Sequence, residues 1–385
     1  MTSLMERSLP IATQKSRARP TLPLLSALPA RELGDRLAAS GGTASQGRAT
    51  AAKVIRYVFG GAGHRAGSLS PAWDAAALSA LGVGAWAHES LLALTPEVSL
   101  SLVERAPAVD GSERLLLSTL DGEVIETVIL PGPSRTTVCI SSQVGCARAC
   151  TFCETGMNGL RRQLNAGEIV DQVRVARTLW GDKHPPLQNV VFMGMGEPFD
   201  NLGEVARAID VLTDDRGLKL SPSRITVSTV GVADKLEAFF ATCRAELAVS
   251  LNAPTDAQRA EIMPVNVRFP LSDLFDALVA HVPRGHKVLF EYVLIAGFND
   301  SDADADALAA LSRRLPSRVN VIPLNPGPNP AQRAPSREQV NRFVARLAGQ
   351  GVVTLVRRAR GQDVGGACGQ LAGARRSPNP PVSGP

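Results

Sequence analysis

Six short apolar runs, alternating with segments of helical periodicity, constrain this chain more than any other feature. TTVCISS (136–142), NVVFMG (189–194), RITVST (224–229), ELAVSL (246–251), KVLFEYVLI (287–295) and RVNVIPL (318–324) are rich in β-branched residues. That is the composition of strands buried on both faces. Among them lie AGEIVDQVRVARTLW, NLGEVARAIDVL, LSDLFDALVAHV and DADADALAALSRRL, with apolar positions at helical spacing. A last helix, SREQVNRFVARLAGQ, leads into the strand VVTLVRRA. Strands alternating with helices give a parallel sheet covered by helices. Six units are too few to close an eight-stranded barrel. The expectation is an α/β fold, an open or partial six-unit barrel, with ligands at the C-terminal ends of its strands.

The 385 residues leave room for a smaller domain beside this one. RELGDRLAAS, ATAAKVIRYVFG and SLSPAWDAAALSAL, the last with Pro71 in its first turn, predict an accessory helical domain over 31–105. SERLLLSTL and EVIETVIL flank Asp121-Gly122, which predicts a β-hairpin within 106–133. The main domain then covers 134–373. Residues 1–30 are basic, with short apolar pieces broken by prolines, a poor signal peptide and an expected disordered leader. Residues 374–385 read as a free tail. No apolar run reaches the roughly 18 residues of a membrane span, so no membrane partner is expected. Six cysteines in a chain this long argue against a secreted disulfide scaffold and for a reducing, cytoplasmic setting. The net charge of +5 leans towards a polyanionic partner, although solubility alone explains such a value.

Four of those cysteines fall within CISSQVGCARACTFC, residues 139–153. Cys146, Cys150 and Cys153 are spaced C-x3-C-x2-C directly after the first strand. Three thiolates on one loop suit three corners of an iron–sulfur cluster, leaving the fourth iron for another ligand. A structural zinc site would need four. Cys139 is the available fourth, but it sits seven residues upstream in a predicted strand. A non-enzymatic zinc module that binds RNA stays open as an alternative. With Phe152 before the last cysteine, the pattern resembles the radical S-adenosylmethionine (SAM) superfamily. That resemblance implies one [4Fe-4S] cluster whose open iron chelates SAM and cleaves it to a 5′-deoxyadenosyl radical. MGMGEP, after the strand NVVF, looks like the motif that receives the SAM amino group, with Gly194, Gly196 and Glu197 at a strand end.

Further stretches narrow the resemblance. ETVILP, CISSQVGC, STVGV, AVSLNAP, IMPVN, VIPLNP and ACGQLAG run collinearly from about 110 to 373. Together they resemble the radical SAM adenine methyltransferases of 23S rRNA and tRNA, and GRATAAKVIRYVF looks like that family's N-terminal domain. The resemblance implies that Cys368 takes a methyl group from one SAM and that a second SAM, two per turnover, yields the radical. The methylene radical formed on Cys368 then adds to carbon 2 of adenine. Cys139 forms a disulfide with Cys368 to release the RNA, and Glu126 serves as the base. It also implies SAM contacts at Gly196, Glu197, Ser228, Ser250, Leu251, Asn252 and Asn325. The implied partners are 23S rRNA, tRNA as a second RNA, and an electron donor such as a flavodoxin system, with the enzyme a monomer. Cys243 reads as a buried core thiol.

Arg148, Arg161, Arg162, Arg357, Arg358 and Arg360 are either phosphate contacts around the strand-end mouth or a solvated charged face. With 4% aromatic residues, RNA recognition should rest on shape and base extrusion. Three features depart from the family pattern, one of them an N-terminal domain rich in Ala and Gly and poorer in aromatics than expected. Asn252 stands where His is usual, and Gly365-Gly366 stand where an acidic residue is usual, which should loosen the Cys368 loop. Two further readings stay open: methylation at carbon 8, the sister activity behind ribosomal antibiotic resistance, and a radical SAM enzyme with another substrate. Pro198 after Glu197 leans towards carbon 2.

Overall fold

All six apolar runs form strands of one sheet in the computed structural model, which describes residues 23–59, 71–181 and 184–372. The sheet begins with an antiparallel meander of β1 (Leu100–Pro107), β2 (Glu113–Thr119) and β3 (Val124–Pro131), which ends on β4 (Thr136–Cys139). The chain then makes a separate small hairpin, β5 (Gln143–Gly145) and β6 (Leu160–Gln163). From β4 onward the sheet is parallel. β7 (Leu187–Phe192), β8 (Ile225–Thr229), β9 (Glu246–Ser250), β10 (Val288–Leu294), β11 (Ser317–Pro323) and β12 (Thr354–Val356) follow in sequence order. The seventh parallel strand, β12, is the strand expected in VVTLVRRA after the last helix.

Helices make each parallel crossover, as β-strands joined in parallel require. Ala166–Trp180, Leu202–Thr213, Leu271–His281, Asp302–Ser312 and Arg337–Gly349 lie where the periodicity places them. Three of the five start at capping boxes, on Asn165, Ser301 and Ser336, which satisfy backbone donors at each helix start. Leu236–Thr242, between β8 and β9, is a helix that the periodicity did not give. One hydrophobic core runs between sheet and helices, and a second fills the N-terminal helices, with Leu33, Leu37, Val54, Ile55, Val58 and Leu91 at its centre.

Three expectations need correction. Pro23–Pro29, placed in the leader, is packed: Leu25 and Leu28 are buried, and Leu25 N donates to Thr95 O at 2.8 Å. The remainder of the leader, residues 1–22, and the tail beyond 372 lie outside the described residues. Pro71 does not open a helix; that helix is Ala75–Ala80, capped by Asp74, whose side chain accepts from Ala77 N at 2.7 Å. Residues 100–105, assigned to the helical domain, belong to β1, so the hairpin before the barrel is a three-stranded meander. No helix among the described residues is long and apolar enough to cross a membrane.

Candidate active site

The C-terminal ends of the parallel strands converge on one cavity of about 150 Å³. Cys146, Cys150 and Cys153 line it from the connection between β5 and β6, Gly196 and Glu197 from beyond β7, and Ser228 from β8. Ser250 and Asn252 reach it from the end of β9, Asn325 from beyond β11, and Cys368 from near the end of the described chain. Sequence positions more than two hundred residues apart are thus brought to one wall. Leu251 is different: its side chain is wholly buried in the core and does not line the cavity.

The cysteine loop and the MGMGEP turn are stitched together. Ser142 N and Gln143 N both donate to Met195 O, at 2.9 and 3.2 Å, and Glu197 N donates to Gln143 Oε1 at 2.7 Å. Gly196 has φ +102°, and a Cβ there would lie 2.6 Å from Gln143 Cβ, so only glycine lets the two turns approach. The Glu197 carboxylate is buried and accepts from Phe199 N at 3.0 Å and Val230 N at 2.8 Å. Burial pushes it up to about 7 despite those donors, so it is a carboxylate that gains from a cation. Asn252 adopts φ +58°, a left-handed conformation that asparagine tolerates better than most side chains. Its Oδ1 accepts from Val293 N at 2.9 Å.

Cys368 sits in the wall shared with a second cavity, of about 20 Å³, which Cys139 lines from the end of β4. Its loop is held on several sides. Asn325 Nδ2 donates to Cys368 O at 3.0 Å, Glu154 N to Gly369 O at 2.8 Å, and Thr155 Oγ1 to Leu371 O at 2.5 Å. Gly365 does not loosen this loop. It takes φ +68°, ending the short turn Gln362–Val364, and Gly366 N closes back onto Gly361 O at 2.7 Å. The disulfide expected between Cys139 and Cys368 is not formed; all six cysteines are free thiols. Cys243 is buried in the main core, and burial pushes its thiol up to about 11.

Glu126 does not line either cavity. It lies buried on β3, two residues from Val128, the neighbour of Cys139, and accepts from Arg114 Nη1 at 3.1 Å. The basic residues are mostly engaged as well. Arg148 pairs with Asp200, Arg161 with Glu123, Arg162 with Asp121 and Glu168, and Arg360 with Asp110. Arg357 turns inward to line both cavities, and Arg358 is exposed.

Three groups escaped the sequence reading. Arg259 is fully buried and ties strand ends together through Leu251 O at 3.0 Å, Val230 O at 2.5 Å and Asn266 Oδ1 at 2.8 Å. Gln143 is the bridge described above. Glu291 is a buried carboxylate that lines the larger cavity. A charged residue inside the apolar run KVLFEYVLI was the available signal for it.

The donor set fits an iron–sulfur cluster. Among the described residues, no three Cys, His, Asp or Glu side chains gather so as to hold a single metal ion. Cys139, the fourth ligand that a zinc site would need, faces the other cavity. Burial raises the thiols of Cys146, to about 12, and of Cys150, and the positive charge of a bound cluster would hold them as thiolates.

Comparison with known proteins agrees. Residues 140–310 match the family model of the Radical SAM superfamily. A protein of Sorangium cellulosum described as a probable RNA methyltransferase is 62% identical over 91% of this chain and 88% of its own length. The dual-specificity RNA methyltransferase RlmN of Anaeromyxobacter sp. is 44% identical over 75% of this chain and 80% of its own. The crystal structure of a radical SAM methyltransferase from Sphaerobacter thermophilus superposes with a TM-score of 0.78 at 40% identity, covering 91% of this chain and 99% of that one. This chain belongs to the radical SAM RNA methyltransferases of the RlmN type, enzymes that work with a [4Fe-4S] cluster and SAM.

Proposed function

We propose that the enzyme methylates carbon 2 of an adenine in 23S rRNA, and an adenosine beside the anticodon of some tRNAs, through a methyl group carried on Cys368. The observation that carries this reading is the position of Cys368 between two cavities. In one it meets the cluster thiols and Glu197; in the other it meets Cys139. The dual-specificity name borne by the relatives supports two RNA substrates, and Pro198 favours carbon 2 over carbon 8.

Carbon 2 of adenine is electron-poor and bears only hydrogen, so it does not attack a methyl cation equivalent. When bound, the cluster and SAM supply a methyl group and a carbon-centred radical. The chain does the rest. Cys146, Cys150 and Cys153 would hold the cluster, and Gly196 lets the turn that carries Glu197 close onto the cysteine loop. The Glu197 carboxylate receives an ammonium group, and Ser228, Ser250, Asn252 and Asn325 give polar edges to the same wall. Cys368 presents the one-carbon unit to the adenine. Cys139 then bonds to the sulfur of Cys368 and frees the methylated RNA. The resulting disulfide is transient and is reduced by external thiols. The N-terminal helices and the exposed Arg358 contact the RNA, and an electron donor such as a flavodoxin would supply the electron that a bound cluster needs.

The test is product identity. Protein purified anaerobically and reconstituted with iron and sulfide is incubated with 23S rRNA or tRNA, SAM and a reductant, and the digested RNA is read by mass spectrometry. 2-Methyladenosine is the expected product, and the RNA that carries it identifies the substrate. 8-Methyladenosine would move the enzyme to the sister activity. SAM cleavage without any methyladenosine would overturn the substrate class.

A further inference from the structure

The mechanism above gives no task to two charged groups in the reaction chamber. Arg357 follows β12, with its N donating to Val321 O at 2.9 Å, and its guanidinium stands in the wall common to both cavities. One nitrogen, Nη1, lies 3.4 Å from Met193 Sδ and 4.0 Å from Glu291 Oε1. Glu291 projects from the middle of β10. Its Oε1 accepts from Asn320 Nδ2 at 3.1 Å, while Oε2 is buried with no hydrogen-bond partner among the described residues. Cys368 shares both cavities with the guanidinium and Cys139 shares the smaller one, so with Glu291 three ionisable groups surround it. At 4.0 Å the carboxylate is a loose partner that restrains Arg357 without closing on it.

We propose that Arg357 is a positioning residue, the shared counter-ion of the Cys139 and Cys368 thiolates, with Glu291 fixing its place and drawing off part of its charge. The proposal rests on reading those cysteines as the reacting pair. A thiolate, not a thiol, is the nucleophile in each step assigned to them. Burial pushes Cys139 up to about 12, and Arg357 is the cation that opposes this. In the release step, once the adduct has lost the carbon-2 proton and returned its unpaired electron to the one-electron carrier that supplied it, the Cys139 thiolate attacks the Cys368 sulfur. The Sγ–Sγ bond forms, and the bond from Cys368 Sγ to the methylene carbon breaks. The electron pair leaves on that carbon, which takes a proton to become the methyl group. Two thiol sulfurs are oxidised, the carbon is reduced, and an external dithiol later returns two electrons. A cation beside both sulfurs favours the attacking thiolate before this step and the re-reduced pair after it.

The experiment compares the reconstituted full-length enzyme with Arg357→Met, Arg357→Lys and Glu291→Gln. It reads the rate at which iodoacetamide alkylates Cys368 at pH 7.5, by peptide mass spectrometry. Arg357→Met should slow alkylation about ten-fold, Arg357→Lys should stay within about two-fold, and Glu291→Gln should speed it about two-fold. In glutathione buffers Arg357→Met should also shift the Cys139–Cys368 equilibrium about ten-fold towards the disulfide, ~30 mV to more negative potential. A merely structural role would not move the two charge variants in opposite directions. Arg357→Met alkylating at the wild-type rate, with an unshifted equilibrium, would overturn the proposal. If that variant does not retain its iron, Glu291→Gln decides: equal or slower alkylation is fatal, faster supports. Failure of the parent reading looks different, since wild-type Cys368 would then never gain an S-methyl group from SAM, whatever its alkylation rate.

Discussion

Cys139 is the last residue of β4, pairing with Val128 on one side and Val191 on the other, so its sulfur can reach only what the strand end presents. What it presents is the small cavity walled by Cys368. If Cys139 resolves the RNA adduct, Cys139→Ala should accumulate protein covalently tethered to RNA, seen as an RNase-sensitive shift on denaturing gels. Turnover at the wild-type rate by that variant would remove Cys139 from the reaction. The cysteines and Glu197 were legible in the sequence because spacing alone carries their meaning: three thiols on one loop, a carboxylate after a glycine-rich strand end. The roles of Arg259, Glu291 and Arg357 were not. Each is a lone charged residue whose role comes from facing strands that are distant in sequence, and nothing local distinguishes Arg357 from the exposed Arg358 beside it.

At the scale of elements, the turn joining β1 to β2 straps down the segment that carries Cys368. Asp110 accepts from Arg360 Nε at 2.7 Å and Gly361 N at 3.2 Å, and Asp363 Oδ2 accepts from Val109 N at 3.0 Å. Partial burial works against the Asp110 carboxylate, but donors on Ser112, Arg360 and Gly361 hold it down to about 2 from 3.8. A depressed carboxylate stabilises the fold above its ordinary value, and that contribution is lost as pH falls through the folded value. Asp110→Asn should therefore cost about 1 kcal/mol at pH 7, discounted for a side chain about a third exposed. In urea melts the gap between wild type and variant should close as pH drops from about 4 towards 2; a gap that persists at low pH would refute the electrostatic account. The strap explains why β1 matters, yet β1 was hidden in the sequence. LSLVERAP is mostly exposed and bulged between Leu102 and Glu104, so it shows no alternation. The central strands are buried, and their β-branched runs gave them away.

Taken whole, the molecule has two hydrophobic cores joined through buried polar contacts, so the N-terminal helices are not an independent bead. Asp171 is fully buried on the helix Ala166–Trp180 and accepts from Ser99 N and Ser99 Oγ, both at 2.8 Å, and from Arg174 Nη1 at 2.8 Å. Arg174 also donates to Pro96 O at 3.2 Å and lies 5.3 Å over the Phe59 ring, at the end of an N-terminal helix. The segment between helical unit and sheet is thus pinned to the barrel by one charge pair that has left water. Removing one partner of such a pair leaves the other uncompensated, at a cost of about 3 kcal/mol. Tryptophans report on both sides, since Trp73 and Trp86 sit in the helical unit and Trp180 in the barrel. In the wild type, fluorescence of single-tryptophan versions should show the two units unfolding together in urea. In Asp171→Ala the Trp73 transition should move to lower urea, ahead of Trp180. If both transitions shift equally, the pair stabilises the barrel itself, and the coupling between the units lies in the flanking contacts of Arg207 with Ala27 and Glu32 and of Ala30 with Asp214.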